Sequence, residues 1–482
     1  MLATLLFFSL TAQAQDSLSL AEAVARAVAN NPDLARSGLA VTEAAAQVMA
    51  AQAAFEPALQ GGESWDTSES LGFFQGFGYS QDSAAWSASA ALSGAAPTGT
   101  SWSLGSSAGW NRSSTTSEMF SGEQEQAYHT SGLSVGLRQE LLEGLLPSYN
   151  LRALRTARQG AARAETNLAW AREQLVIQVA GAWRTWVLTQ RREAIAADAL
   201  KTSEATEAAV RVRTDAGRAT ELELGQATLA RLQAGSDLLQ AQADTRASAD
   251  DLLVLLGEEP GTDLRPEGPL LPAAFDLGPL QAWEERALAA NPELALARAD
   301  EQAARLSARD AGHARLPSLA LQADASLGAQ AEDLDEALQG LTGDEAYPAW
   351  RAGLELTVPL GNRAARAEVQ RTSAALRAAT LAVEGLTRSL RAEVQARHRA
   401  VLTAHSALEI AEERRVLSAR TAVLEEARYL EGTRTLDRLL DARLAAERAA
   451  LSAEQAQVTL AAALLDLAAL AGEAESSLTH GT

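Results

Sequence analysis

The sequence predicts a mainly α-helical chain with a smaller, membrane-type β portion, assembled twice from one half-unit. Three observations predict it: the spacing of the prolines, two sets of repeated landmarks, and runs of strict polar–apolar alternation. The chain has 482 residues and 13 prolines, yet none lies between Pro147 and Pro260 and none follows Pro359. Two long stretches therefore lack the commonest helix breaker, a punctuation foreign to a string of ordinary globular domains.

The repeat has two offsets. Asn31-Pro32-Asp33-Leu34-Ala35 recurs as Asn291-Pro292-Glu293-Leu294-Ala295, and Pro57 as Pro317, both 260 residues on. Gly217-x-x-Thr220 recurs as Gly432-x-x-Thr435, and Gly257-Glu258 as Gly472-Glu473, both 215 residues on. Two landmarks sharing each offset indicate a duplication with one length change between them.

Composition narrows the classes. A formal net charge of −21 argues against a nucleic-acid partner, which needs a basic face. With no cysteine there is no disulfide framework, thiolate metal site or lipid-bearing N-terminal Cys. Residues 1–14 read as an export signal: Leu2–Leu10 is a short apolar run and Ala12-Gln13-Ala14 a small-residue cleavage site, although no Lys or Arg precedes the run. Beyond it no window reaches 18 uninterrupted apolar residues, so any membrane crossing is not by a helix.

The elements then follow in order. Residues 15–57 are short helices of the first half, with one helix running from about Ser19 to Phe55 on a stripe of Leu18, Ala21, Val24, Ala25 and Val28. Residues 58–150 form the first β segment. A long helical hairpin occupies 151–257 with its tip near Gly217, and the proline-rich 258–280 is the linker. The second half repeats this with short helices over 281–316, a β hairpin over 317–360, a helical hairpin over 361–472 with its tip near Gly432, and a tail over 473–482. Within the hairpins Leu175, Val179, Ala182 and Trp186 form one stripe, and Val394, Val401 and Leu408 another, with Ala404 and Ala411 as small knobs. A helix from Leu151 to Asp215 is about 100 Å long at 1.5 Å per residue.

The β segments alternate with period two. Leu319, Leu321, Ala323, Ala325 and Leu327 form one apolar row, and Trp350, Ala352, Leu354, Leu356 and Val358 a second. The first half adds Trp86, Ala88, Ala90 and Leu92; Trp102, Leu104, Ala108 and Trp110; and Leu133, Val135 and Leu137. Eleven of the 22 aromatic residues fall between Ala58 and Asn150, as in strands whose ends lie at a membrane surface. A soluble β-sandwich shows the same alternation. The second half offers two strands and the first two to four, too few to close around a lumen, so several chains must share one barrel.

In these features the chain resembles the outer-membrane efflux proteins typified by TolC. The carriers are the repeated Asn-Pro-[Asp/Glu]-Leu, Pro359-Leu360-Gly361-Asn362-Arg363 before the second long helix, and Tyr429-x-x-Gly432-Thr433-Arg434-Thr435 followed by Leu440-Asp441-Ala442. The resemblance implies a homotrimer in the bacterial outer membrane, with a shared β-barrel and a long α-helical tunnel through the periplasm. It further implies a periplasmic adaptor (membrane fusion protein) and an inner-membrane pump as partners. One departure is Gln139-Glu140-Leu141-Leu142, where relatives often read Gln-Pro-Leu-Leu. Another is the length of the first β segment. Either Gly61–Gln81 and Asn111–Gln126 are enlarged surface loops, or Trp86–Trp110 is an extra hairpin around Ala96-Pro97-Thr98-Gly99. The barrel accordingly has 12 or 18 strands.

By the same resemblance Tyr429 and Arg434 match gate residues that tie neighbouring helices shut at the periplasmic aperture. Asp441 matches an acidic ring there, and Glu223 an acidic partner for the tyrosine. Arg438 stands one turn before Asp441, where a second acid often lies. No nucleophile elbow, zinc motif or phosphate loop occurs, and His398 and His405, seven apart, read as a solvated helix face, so neither an enzyme nor a cofactor or metal is expected. The function expected is a gated exit duct for efflux or type I secretion. The alternative is a periplasmic coiled-coil structural or adaptor protein with a soluble β domain.

Overall fold

A computed structural model describes residues 16–74, 77–117, 120–261, 264–268, 270–271, 277–344 and 346–475. The expected export signal, the end of the tail from 476 onward, and positions 262–263, 269 and 272–276 of the expected linker lie outside the described residues. The first half comprises β1 (Asp16–Ser19), α1 (Leu20–Asn30), α2 (Pro32–Gln52), β2 (Ala58–Phe74), β3 (Phe77–Ala95), β4 (Thr100–Ser117), β5 (Phe120–Glu140), α3 (Pro147–Asn150), α4 (Arg152–Asp215) and α5 (Glu221–Leu256). After β6 (Leu264–Glu267) come α6 (Leu280–Ala290), α7 (Pro292–His313), β7 (Ser318–Ala331), α8 (Leu334–Gly340), β8 (Tyr347–Thr357), α9 (Arg363–Leu430) and α10 (Leu436–Leu470). Two compact units result, one of residues 1–41, 163–298 and 382–482, the other of 42–162 and 299–381.

In the first unit the repeated landmarks become repeated contacts. The single helix expected from Ser19 to Phe55 is broken at Asn31, because Asn31 leaves the helical region (φ −66°, ψ 124°) ahead of Pro32. Its Oδ1 accepts the N–H groups of Asp33 (2.9 Å) and Leu34 (3.0 Å), capping α2, while its amide donates to Leu255 O (3.0 Å) on the last turn of α5. Asn291 repeats this, accepting from Leu294 N (3.0 Å) and donating to Leu470 O (3.5 Å). The Gly-Glu landmarks complete each joint. Gly257 (φ +73°) ends α5, and an added Cβ would lie 2.6 Å from Asn30 O. Gly472 (φ +66°) follows α10 beside Ala290 O. Arg26 pairs with Glu258 at 3.6 Å, and Arg286 with Glu473 at 2.9 Å.

Two core clusters follow the halves, although Leu465 and Ala474 of the second half join the first cluster. In the first, Leu18, Val24, Ala27, Leu175, Val176, Val179, Trp183, Trp186 and the α5 leucines 252, 253 and 256 are buried together, and the Trp183 indole donates to Leu18 O (3.2 Å). In the second, Ala287, Leu294, Leu390, Val394, Val401, Leu460 and Leu467 form the cluster. The short parallel pair of β1 with β6 was not anticipated: it adds a strand from the proline-rich connection to the first residues of the described chain. None of the described helices is long and apolar enough to cross a membrane.

The second unit is dominated by one six-stranded antiparallel sheet, ordered β2-β3-β4-β5-β7-β8. The first half contributes four strands, so Gly61–Phe74 and Asn111–Ser117 are strand rather than loop, and Trp86–Trp110 is a hairpin turning at Pro97-Thr98-Gly99. Ala96 N donates to Thr100 O (2.7 Å) to close that turn. Register decides what the alternation means, because directly opposed residues share a face. Trp65 opposes Trp86, which opposes Trp110. Leu92 opposes Leu104, Leu104 opposes Val135, Val135 opposes Ala325, and Ala325 opposes Trp350. All five apolar rows read from separate stretches of sequence therefore fall on one face. The other face carries serines, glycines, Gln322, Asp324, Arg138 and Glu355. Most of the apolar face is uncovered in the single chain: Trp350 is 82% exposed, Leu354 67% and Trp65 62%. Strands β2 and β8 stand at the sheet's two edges.

Candidate functional site

The hairpin tips are built by turns that the repeat had marked. After α4, Gly217 takes φ +68° and Arg218 N donates to Arg213 O (2.8 Å). After α9, Gly432 takes φ +75° and Thr433 N donates to Arg428 O (3.0 Å). Nothing lies within 4 Å of a Cβ placed at either glycine, so the left-handed backbone, not crowding, requires glycine there. Beyond this the tips differ. Thr220 forms a full capping box with Glu223: Glu223 Oε2 accepts Thr220 N (2.8 Å) and Thr220 Oγ1 accepts Glu223 N (3.2 Å). Thr435 makes no such bond, and its third following residue is Arg438, which cannot accept one.

Between the tips lies a small apolar cluster of Val210, Ala227, Tyr429, Leu436 and Leu439, with Ala219, Leu224 and Leu440 against it. Tyr429 is its aromatic centre and only 3% exposed, yet its hydroxyl has no hydrogen-bond partner among the described residues. The Arg213 guanidinium stacks over the ring at 4.6 Å from the centroid and donates to Tyr429 O (3.3 Å). Burial pushes the phenol above its ordinary titration range; the Arg213 charge opposes that shift and the Glu223 charge adds to it. Glu223 is thus close enough to be felt, but its carboxylate is engaged with Thr220 rather than with the tyrosine. Arg434 reaches Glu425 on α9 (3.7 Å), which Arg428 also approaches (3.3 Å). Asp441 is exposed on α10 and belongs to none of these contacts.

Two polar ties were missed in the sequence. Glu207 on α4 is nearly buried and receives Arg231 Nε (2.6 Å) and Thr228 Oγ1 (3.1 Å) from α5, and Arg211 (2.9 Å) from its own helix. Burial alone would raise its acid, but the Arg231 and Thr228 hydrogen bonds and the two arginine charges outweigh that and hold it below the ordinary glutamate range. Arg443 on α10 pairs with Glu426 (2.9 Å), donates to Thr202 O (3.3 Å) and hydrogen-bonds Thr206 Oγ1, tying three helices. Neither tie has a motif: Glu207 and Arg231 are ordinary charges on amphipathic helices, 24 positions apart. No group of three or more potential metal-ligating side chains occurs among the described residues.

Comparison with known proteins supplies the frame for this geometry. Residues 283–473 match the model of a family described as outer membrane efflux protein. No curated protein sequence matches the chain. Among solved structures, the outer-membrane channel OprN superposes with a TM-score of 0.70 at 19% identity, over 94% of this chain and 89% of that one. The outer membrane protein VceC of Vibrio cholerae gives 0.69 at 17% identity, over 94% and 96%. The CmeC outer membrane channel of Campylobacter jejuni gives 0.68 at 17%, over 94% and 86%. The chain shares the fold of these channels along nearly its whole length.

Proposed function

We propose that this chain, whose residues 283–473 carry the outer membrane efflux protein domain, is the outer-membrane exit duct of an efflux or type I secretion system. It works as a homotrimer that conducts substrate passively and performs no chemistry of its own. One observation carries the reading: the sheet has a mainly apolar face that is largely uncovered, a polar face behind it, and two edges without partners among the described residues. A soluble β domain would bury its apolar face, which tells against the periplasmic spacer. Lipid covers such a face at no cost, but lipid does not tolerate open edges. Edge-to-edge pairing of three six-stranded sheets makes an 18-stranded barrel and removes every edge.

The fine assignments rest on the same reading. Tyr429 and Arg434 hold the tips together at the periplasmic aperture, Glu223 braces the tip of α5 beside the tyrosine, and three copies of Asp441 ring the constriction and favour cations. A periplasmic adaptor and an inner-membrane pump deliver the substrate, so specificity resides in those chains. Fractionation tests the reading directly. The protein should partition with the outer membrane, require detergent for release, and form conducting channels in planar bilayers. Release by osmotic shock as a soluble species would refute it.

A further inference from the structure

The connection between β7 and β8 folds back onto the sheet, and the face it chooses is informative. Gly340 of α8 sits so close that an added Cβ would lie 3.0 Å from the Cβ of Ala329, and Ser131 Oγ donates to Ala337 O (2.5 Å). His129 Nδ1 donates to Glu332 O (2.8 Å) just ahead of the helix. Ala329, Ser131 and His129 share the face of Leu327, Leu133 and Val135. Helix α8 therefore lies on the apolar side of the sheet, not on the serine-rich side.

Its level along the strands matters equally. In the register, His129 opposes Trp110, Trp110 opposes Trp86, and Trp86 opposes Trp65. Trp65 and Trp110 stack with centroids 5.7 Å apart, and Trp86 Nε1 donates to Glu63 (2.7 Å). Below this row the face is mainly apolar down to Trp102, eight residues along β4, with Glu63, Ser106 and Ser131 among its polar members; that is about 26 Å of strand and about 20 Å of height at a tilt of about 40°, near the usual apolar band. Above the row the same face of β3–β5 turns polar, with Asp82, Ser114 and Glu123, and with Arg112 paired to Glu125 at 2.5 Å. The tryptophan row is thus a boundary. At that boundary β5 and β7 offer only His129, Ser131, Ala329 and Ala331, and it is there that α8 lies.

The helix is amphipathic sideways. With Ala337 and Gly340 against the sheet, Leu334, Leu338 and the capping Leu341 line one flank, and Asp335, Glu336 and Gln339 the other. Leu338 is 46% exposed. We propose that α8 is an interfacial helix: it lies in the lipid headgroup layer on the outside of the barrel and continues the tryptophan belt over β5 and β7, with leucines toward acyl chains and acids toward water. The inference rests on the membrane reading given above and adds a contact surface for lipid to it.

The cysteine-free chain allows a clean test. Single variants Leu338→Cys, Asp335→Cys and Leu354→Cys are spin-labelled in phosphatidylethanolamine/phosphatidylglycerol vesicles, and collision with oxygen and with a water-soluble nickel chelate is compared. The label at 354 should be oxygen-rich and nickel-poor, that at 335 the reverse, and that at 338 intermediate, at headgroup depth. If 338 matches 335 while 354 lies in lipid, the helix stands clear of the membrane and the inference falls alone. A label at 338 as deep as 354 would move the boundary and also overturn it. Nickel access at 354 would defeat the membrane reading, and the inference with it.

Discussion

At Glu207 a single carboxylate receives two arginines and a threonine from two helices. Its acid is held below the unfolded value, so its contribution to stability is complete above the ordinary glutamate range and is lost as pH falls through the depressed folded value. Melts of the wild type and of Glu207→Gln should therefore converge as the solution is acidified and diverge toward neutral pH; a constant gap across that range would contradict the tie. Tyr429 poses the opposite case. Its hydroxyl is buried and has no partner among the described residues, a state that costs free energy unless another group, such as one from a neighbouring chain, supplies the partner. Tyr429→Phe and Arg434→Ala should each raise single-channel conductance, and Asp441→Ala should reduce cation selectivity. Unchanged conductance in the first two would remove the gate assignment, and an unchanged reversal potential would remove the ring. The gate roles proposed for Tyr429 and Arg434 come from the resemblance. Their surroundings were not legible in sequence: Arg213 and Glu425 belong to other stretches of helix, and only folding brings them to the tip.

At the scale of elements, the glycines separate two kinds of requirement. Gly217 and Gly432 are left-handed with free space around them, whereas Gly257 is left-handed and pressed against Asn30 O. Alanine should cost about 1–2 kcal/mol at each tip glycine, the backbone strain alone, and clearly more at Gly257, where the helix joint must also open. Denaturant midpoints of the three variants order these costs; equal loss at all three would contradict the distinction. Sequence periodicity made the long helices and the strands legible because each is locally determined: heptad stripes in α4 and α9, alternation in β3, β4, β5, β7 and β8. It failed at Asn31, since the stripe of α1 continues past it and only Pro32 hints at the break. It also left β2 ambiguous. The glycine, serine and aromatic content of Gly61–Gln81 reads as a surface loop, and strand pairing with β3 overrides that composition.

The whole molecule turns on the sheet. Five apolar rows scattered over more than 200 residues converge on one face, and the edges β2 and β8 have no further strand partner among the described residues. Alternation could indicate a two-faced sheet, but not whether the rows coincide; register decides that, and the exposure of the shared face, which a sandwich would bury, favours a lipid-facing wall. The proposed closure by identical copies rests on that strand number and on the two edges. The most direct test is the mass of the detergent-extracted particle by native mass spectrometry. Three chains are expected, with no stable smaller species that retains its sheet. A monodisperse single chain in plain buffer, with its β content intact and no lipid or detergent present, would contradict it.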